Sequence, residues 1–298
     1  MPAGHSLFMA DHSYRGRFAP SPTGPLHFGS LVTALASYVE AKCHQGQWLV
    51  RIEDLDPLRE SRQATEQILH SLTCHGLIPD EPVRFQSRRH DAYQNAITTL
   101  LDKGLAYRCA CSRKQLQQHQ GRHPERCRDG KSQPGDRPFA VRFALGDEVS
   151  HWHDELLGEQ IQKVTAELDD PVILRKEGFY AYQLAVVVDD IDQGITDVVR
   201  GSDLLEMTAQ QQQIYRALGA TPPRWLHIPV ILNARGQKLS KQNHAPALDD
   251  RQPASNLVRA LEALGQQPPT GLRHATVQGI LDWSVEHWRR QAIPLTSR

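Results

Sequence analysis

Apolar positions set the outline of this chain. From Gly29 onward Leu31, Leu35 and Val39 recur every four residues, the repeat of a helix with one buried face, and Gly46 ends the run. Before it, Arg15 to Phe18 suits a short strand stopped by Pro20 and Pro22. After it, Trp48 to Ile52 suits a second strand, with Glu53-Asp54-Leu55-Asp56 at its C-terminal end. Strand, glycine turn, helix and strand make a βαβ unit. In parallel sheets of that kind ligands bind beyond the carboxyl ends of the strands. Residues 59–76 and 88–104 pattern as helices closed by Gly76 and Gly104. Periodicity returns near Val172. Leu184 to Val188 is an apolar run too short to assign as helix or strand. Ile195 to Arg200 alternates as a strand, a helix follows to Leu218, and a further strand is expected over Ile228 to Leu232. Asn233 to Gly236 is a turn into a lysine-bearing loop, and Leu257, Leu261 and Leu264 mark a helical tail. There is no internal repeat.

Composition narrows the class. A chain of 298 residues can bury a substantial core in one to three domains. Lys+Arg and Asp+Glu are both 34, so any polyanion must be met by a local patch rather than by net charge. Such a patch exists: Arg108 to Arg142 holds nine Lys/Arg against three acids, in a stretch rich in Gly, Pro, Gln and His. It has little to bury and needs another source of order. No apolar run reaches the roughly 18 residues of a membrane span. Met1 to Tyr14 is polar and reads as a loose extension. Five cysteines, an odd number, argue against a disulfide scaffold and for a reducing cytoplasm.

Three segments carry chemistry. Pro20 to Ser30 places His27 and Gly29 at a turn that opens a helix, where free N–H groups and the helix dipole suit phosphate. Lys238-Leu239-Ser240-Lys241 places two lysines on a loop, where they can neutralise a leaving pyrophosphate. Cys109-x-Cys111 with His123-x-x-x-Cys127 supplies three thiolates and an imidazole, a tetrahedral zinc set, with His119 as a competing ligand. Metal binding would also order the core-poor segment. Cys43 and Cys74 are left over as small core residues.

The ordered pair of nucleotide segments resembles the catalytic core of class I aminoacyl-tRNA synthetases, in the glutamyl branch. Pro20 to Ser30 is similar to the "HIGH" region, with His27 and Gly29 kept and Ser30 in place of the last His. Lys238 to Gln242 is similar to "KMSKS", with Leu239 for Met and Gln242 for the last Ser. Arg17-Phe18-Ala19-Pro20-Ser21, Arg51-Ile52-Glu53-Asp54 and Val199-Arg200-Gly201 extend the likeness over residues 15–245.

The resemblance implies an α/β fold: a Rossmann-like parallel sheet, an inserted zinc-binding subdomain and a short C-terminal helical region. It divides the chain into an extension (1–14), a first catalytic half (15–105), the insert (106–175), a second half with the lysine loop (176–245) and a helical cap (246–298). It implies ATP with Mg²⁺, and Zn²⁺. His27, Lys238 and Lys241 would balance charge during adenylate formation, with Gly29, Ser30 and Lys241 at ATP. Arg17, Phe18, Ala19, Pro20, Ser21, Glu53, Tyr182 and Arg200 would form an L-glutamate pocket. Glu53 suits the ammonium and the two arginines suit the carboxylates. Asp189-Asp190 reads as a helix or strand cap.

Only 48 residues follow Asp250, too few for an anticodon-reading domain and suited to a cap. The resemblance is therefore to short glutamyl paralogues that attach glutamate to the queuosine base of tRNA(Asp). Partners would be L-glutamate and tRNA(Asp) carrying queuosine, with no membrane, and nothing demands more than a monomer. A truncated enzyme charging tRNA(Glu), another adenylate-forming ligase and a non-enzymatic zinc-containing tRNA binder remain open.

Overall fold

The computed structural model describes residues 13–112, 114–115, 125–130, 134–164, 169–233, 236–239 and 245–296. Most of residues 1–14, together with His119, His123, Ser240, Lys241 and Gln242, lie outside the described residues.

The chain opens β1 (Arg15–Phe18), α1 (Phe28–Cys43), β2 (Gln47–Ile52), α2 (Arg62–Cys74), β3 (Arg84–Phe85) and α3 (His90–Asp102). Then come β4 (Ala106–Cys109), the single turn α4 (Glu125–Arg128), β5 (Ala140–Phe143), β6 (Val149–Asp154), β7 (Gly158–Lys163) and β8 (Val172–Leu174). The second half holds α5 (Tyr182–Asp192), β9 (Asp197–Gly201), α6 (Thr208–Ala217), β10 (Arg224–Ile228), α7 (Pro253–Ala263) and α8 (Val277–His287).

Seven strands form the main sheet in the order β3-β2-β1-β9-β10-β6-β7. It is parallel except for the β6–β7 hairpin. Side-chain alternation divides the core between its two faces. Trp48, Val50 and Ile52 of β2 join the cluster of α1, α7 and α8. Leu49 between them joins the cluster of α3, α5 and α6. The α1 face is the expected one: Leu31, Leu35 and Val39 are fully buried. Gln45, at φ 53°, turns the chain out of α1. Gly46 follows because a Cβ there would run into the backbone of Tyr14. Gly76 and Gly104 close their helices at φ +68°.

Three expectations change. The apolar run Leu184 to Val188 lies inside α5 and is buried at every position, so it carries no period to read. The last parallel strand is Arg224–Ile228 rather than Ile228 to Leu232, because Pro229 has no N–H to continue the ladder. Asp189 and Asp190 are not caps. They lie inside α5 and are hubs: Asp189 accepts from Tyr93 Oη at 2.8 Å, and Asp190 from Arg51 Nη1 at 2.7 Å.

The segment 106–175 builds a separate antiparallel sheet, β4-β5-β8. It also lends the β6–β7 hairpin to the main sheet, through Asp154 beside Trp225 of β10.

Candidate active site

The C-terminal ends of β1, β9 and β10 open on one cavity of about 600 Å³. Its walls include the whole run Arg17, Phe18, Ala19, Pro20 and Ser21, and the α1 turn with His27, Gly29 and Ser30. Tyr182, Arg200 and Lys238 face it from the second half. The two halves of the chain, about 200 residues apart, thus meet where the parallel-sheet rule places a ligand.

His27 caps α1: its Nδ1 accepts from Ser30 N–H at 3.2 Å, and Nε2 lies 3.1 Å from Ser30 Oγ. Gly29 makes room for this ring, since a Cβ there would sit 3.2 Å from His27 Cε1. Leu248 N–H donates to Leu26 O at 2.9 Å, and His27 bridges Ala247, so the far end of the lysine loop is tied to the same turn. Lys238 forms an ion pair with Asp203, a cavity residue the sequence did not single out.

The two arginines differ. Arg17 spends Nε and Nη2 on Asp190, at 3.1 and 3.2 Å. Burial alone would raise the pKa of Asp190, but Arg17 and Arg51 overcome it and hold the carboxyl below its ordinary value. Arg200 is 4 % exposed and meets only neutral acceptors: His227 Nε2 (2.9 Å), Gln211 Oε1 (2.7 Å), Leu204 O (3.1 Å) and Thr208 Oγ1 (2.9 Å). Among the described residues no carboxylate pairs with it. Its guanidinium also lies 4.5 Å from the Trp225 ring centroid. Burial, the largest influence, lowers its pKa. Burial likewise raises the pKa of Tyr182.

Glu53 is not part of the cavity wall. It is buried behind it, with its N–H on Pro20 O at 3.0 Å and Oε1 3.4 Å from Arg51 Nη2. Burial pushes its pKa up to about 7, against the pull of Arg51 and Arg17.

At the end of the small sheet the sulfurs of Cys109, Cys111 and Cys127 lie within 4.8 Å of one another, Cys111 and Cys127 at 3.6 Å. Burial, then the Cys111 thiol, pushes Cys127 up to about 12. Three clustered thiols cannot ionise together without a cation. A tetrahedral zinc–thiolate site has Zn–S near 2.3 Å, so sulfurs about 3.8 Å apart fit it. Beside the cluster is a second cavity of about 610 Å³, rimmed by Arg59, Arg142, Arg175 and Lys176. Lys176 Nζ donates to Ala110 O and Cys111 O at 2.9 and 2.8 Å. Only Arg142 of these lies in the basic stretch noted in the sequence.

Comparison with known proteins agrees with this geometry. Residues 13–281 match the family model of class I tRNA synthetases (E and Q), catalytic domain. The chain therefore belongs to that family. Within it, the chain is 46% identical over 286 residues to Glutamyl-Q tRNA(Asp) synthetase of Vibrio vulnificus, covering 96% of this chain and 93% of that one. It is 48% identical over 282 residues to the protein of the same name from Pseudomonas aeruginosa, covering 95% and 96%. Among solved structures, a glutamate tRNA ligase from Elizabethkingia meningosepticum in complex with its amino acid superimposes with a TM-score of 0.79 at 26% identity. That match covers 94% of this chain and 66% of the longer ligase. Among the described residues no helix is long and apolar enough to cross a membrane.

Proposed function

We propose that this chain activates L-glutamate with ATP and transfers it to the queuosine base in the anticodon of tRNA(Asp). One observation carries the glutamate assignment: Arg200 is a buried cation on the cavity wall that meets only neutral acceptors. A buried charge without a counter-ion is costly, and a substrate carboxylate removes that cost. Glu53 behind the wall supplies the opposite charge for the ammonium.

In the first step a glutamate carboxylate oxygen attacks the α-phosphorus of ATP and pyrophosphate leaves. His27 at the α1 N-terminus faces the phosphates. Lys238 exchanges Asp203 for them, and Lys241 follows from the same loop. Mg²⁺ bound with ATP would supply further neutralisation of the phosphate charge. In the second step a hydroxyl of the tRNA base attacks the glutamyl carbonyl and AMP leaves. Positioning and electrostatics suffice for both. The acceptor rests on the relatives, which match this chain across nearly their whole length and its own. Cys109, Cys111 and Cys127 would hold a structural zinc, with His123 as fourth ligand, and the cationic cavity beside it suits the RNA backbone. None of the five cysteines is in a disulfide, in keeping with a reducing cytoplasm.

The test is transfer of labelled glutamate to matched tRNA(Asp) carrying queuosine or guanine. Label on the queuosine form alone is expected. Label on tRNA(Glu) instead would replace this reading with an ordinary charging enzyme.

A further inference from the structure

Arg200 is held by a chain of groups that neither the motifs nor the cavity wall reveals. Asp154 ends β6, in the hairpin that the insert lends to the main sheet. Its Oδ1 is occupied by three backbone donors: Leu156 N–H at 3.1 Å, Leu157 N–H at 3.0 Å and His227 N–H at 3.3 Å. Its Oδ2 lies 2.5 Å from His227 Nδ1. Asp154 and His227 are both fully buried. Burial would raise the pKa of Asp154, but the His227 ring and the backbone donors outweigh it, so the carboxyl stays ionised. An ionised carboxylate only accepts, so Nδ1 of His227 carries the proton. Nε2 is then an unprotonated acceptor; it meets Arg200 Nε–H at 2.9 Å, with Thr208 Oγ1 3.3 Å away.

The order of the chain has an electrostatic effect. A carboxylate in the place of His227 would orient Arg200 equally well but would neutralise it. The imidazole offers an acceptor with no charge and keeps the Asp154 carboxylate one ring away. Gln211, Thr208 and the Leu204 carbonyl complete the hold, also without charge.

We propose that Asp154 and His227 are positioning residues for Arg200: they fix the imidazole proton on Nδ1, so that Nε2 aims the guanidinium at the cavity with its charge left for substrate. The proposal rests on the reading of Arg200 as the seat of a glutamate carboxylate.

Asp154→Asn is the decisive variant. The three backbone donors keep an oxygen at the Oδ1 place, so the new amide NH₂ faces Nδ1 and donates to it. The ring proton moves to Nε2 and confronts Arg200 Nε–H, donor against donor. The KM for glutamate should rise at least about tenfold, the loss of one charged hydrogen bond, while the KM for ATP holds within about twofold. Imidazole ¹⁵N spectra should report the change of tautomer at His227, its signal assigned by absence in His227→Gln. That variant restores the order, its amide donating to Asp154 and its oxygen facing Arg200, and should keep the glutamate KM within about threefold of wild type.

A folded Asp154→Asn protein with unchanged glutamate KM overturns the proposal. If Asp154→Asn does not fold, His227→Leu against His227→Gln decides: equal glutamate KM values overturn it, and a rise confined to the leucine variant upholds it. Arg200→Gln separates the two layers. If it leaves the glutamate KM unchanged, the reading of Arg200 fails; if it raises KM while Asp154→Asn does not, only the positioning role fails.

Discussion

The cavity at the ends of the main sheet and the cysteine cluster keep their shape by different means. The cavity is lined by the ends of a parallel sheet and backed by a buried polar network. In it Asp190 binds Arg17, Arg51 and Tyr215, and Asp189 binds Gln86, Arg89 and Tyr93. Among the described residues the cysteine cluster has almost no core: Tyr107, Cys109 and Cys127 are its buried apolar residues, with Cys111 and Ala144 beside them. One site is preorganised by the fold, and the other, on the reading proposed above, would be organised by a zinc ion. They should therefore fail separately.

The largest effect tests that separation. Chelation or Cys109→Ser should release one zinc per chain, found by elemental analysis. Such sites contribute on the order of 10 kcal/mol to local order, so the segment around residues 106–142 should become cleavable by protease. Transfer to tRNA should be lost, while glutamate-dependent pyrophosphate exchange stays within about threefold. Loss of both together would mean that the two regions are one unit. The converse change is Lys241→Ala, which should cut exchange by about 10²–10³-fold with zinc content and calorimetric glutamate affinity unchanged. Near-normal exchange would remove this lysine from the ATP site.

A smaller effect comes from Glu53. Its folded-state pKa, raised by burial to about 7, means that below that pH the folded chain holds a proton that an unfolded carboxyl releases. Its contribution to stability is thus full at low pH and lost as pH rises through about 7. Ligand binding runs the other way, because the ammonium needs the ionised carboxylate. Affinity for glutamate should fall as pH drops below about 7, by up to about tenfold per unit, with a proton released on binding. Titration calorimetry in buffers of different ionisation heat measures this. The same pH dependence in Glu53→Gln would assign it to another group. Smallest is the rim of the second cavity: Arg175→Glu with Lys176→Glu should raise the KM for tRNA a few-fold and lower its salt dependence, leaving exchange alone.

Much of this was legible in the sequence, and the physical reason differs from element to element. The four-residue repeat of α1 stands out because Ser30, Thr33, Tyr38 and Lys42 break its buried face, whereas β1 and β2 are buried at nearly every position and are marked by the prolines and acids that follow them. α5 is dry all round at 184–188 and has no period. The apolar run after His227 hides the strand end, because Pro229 looks apolar yet ends the ladder. In the site, Arg17 to Ser21, His27 and Lys238 announce themselves through local motifs, and the structure brings them to one cavity. Asp154 and His227 do not. They are 73 residues apart and meet only because β6 lies beside β10, a pairing that no local pattern encodes. Asp203 likewise becomes visible only through its contact with Lys238.

The pairing of β4 with β5 gives the cysteine region a further property. Cys109 and Ala140 stand opposite each other in that ladder, so the chain that exits β4 re-enters at β5 beside its own exit. Such an excursion is topologically a side branch of the small sheet. Its length and content can drift, or be exchanged for another chain's, without shifting the register of any main-sheet strand. The cysteine-bearing part of the molecule is thereby free to diverge while the cavity at the ends of the main sheet stays as it is.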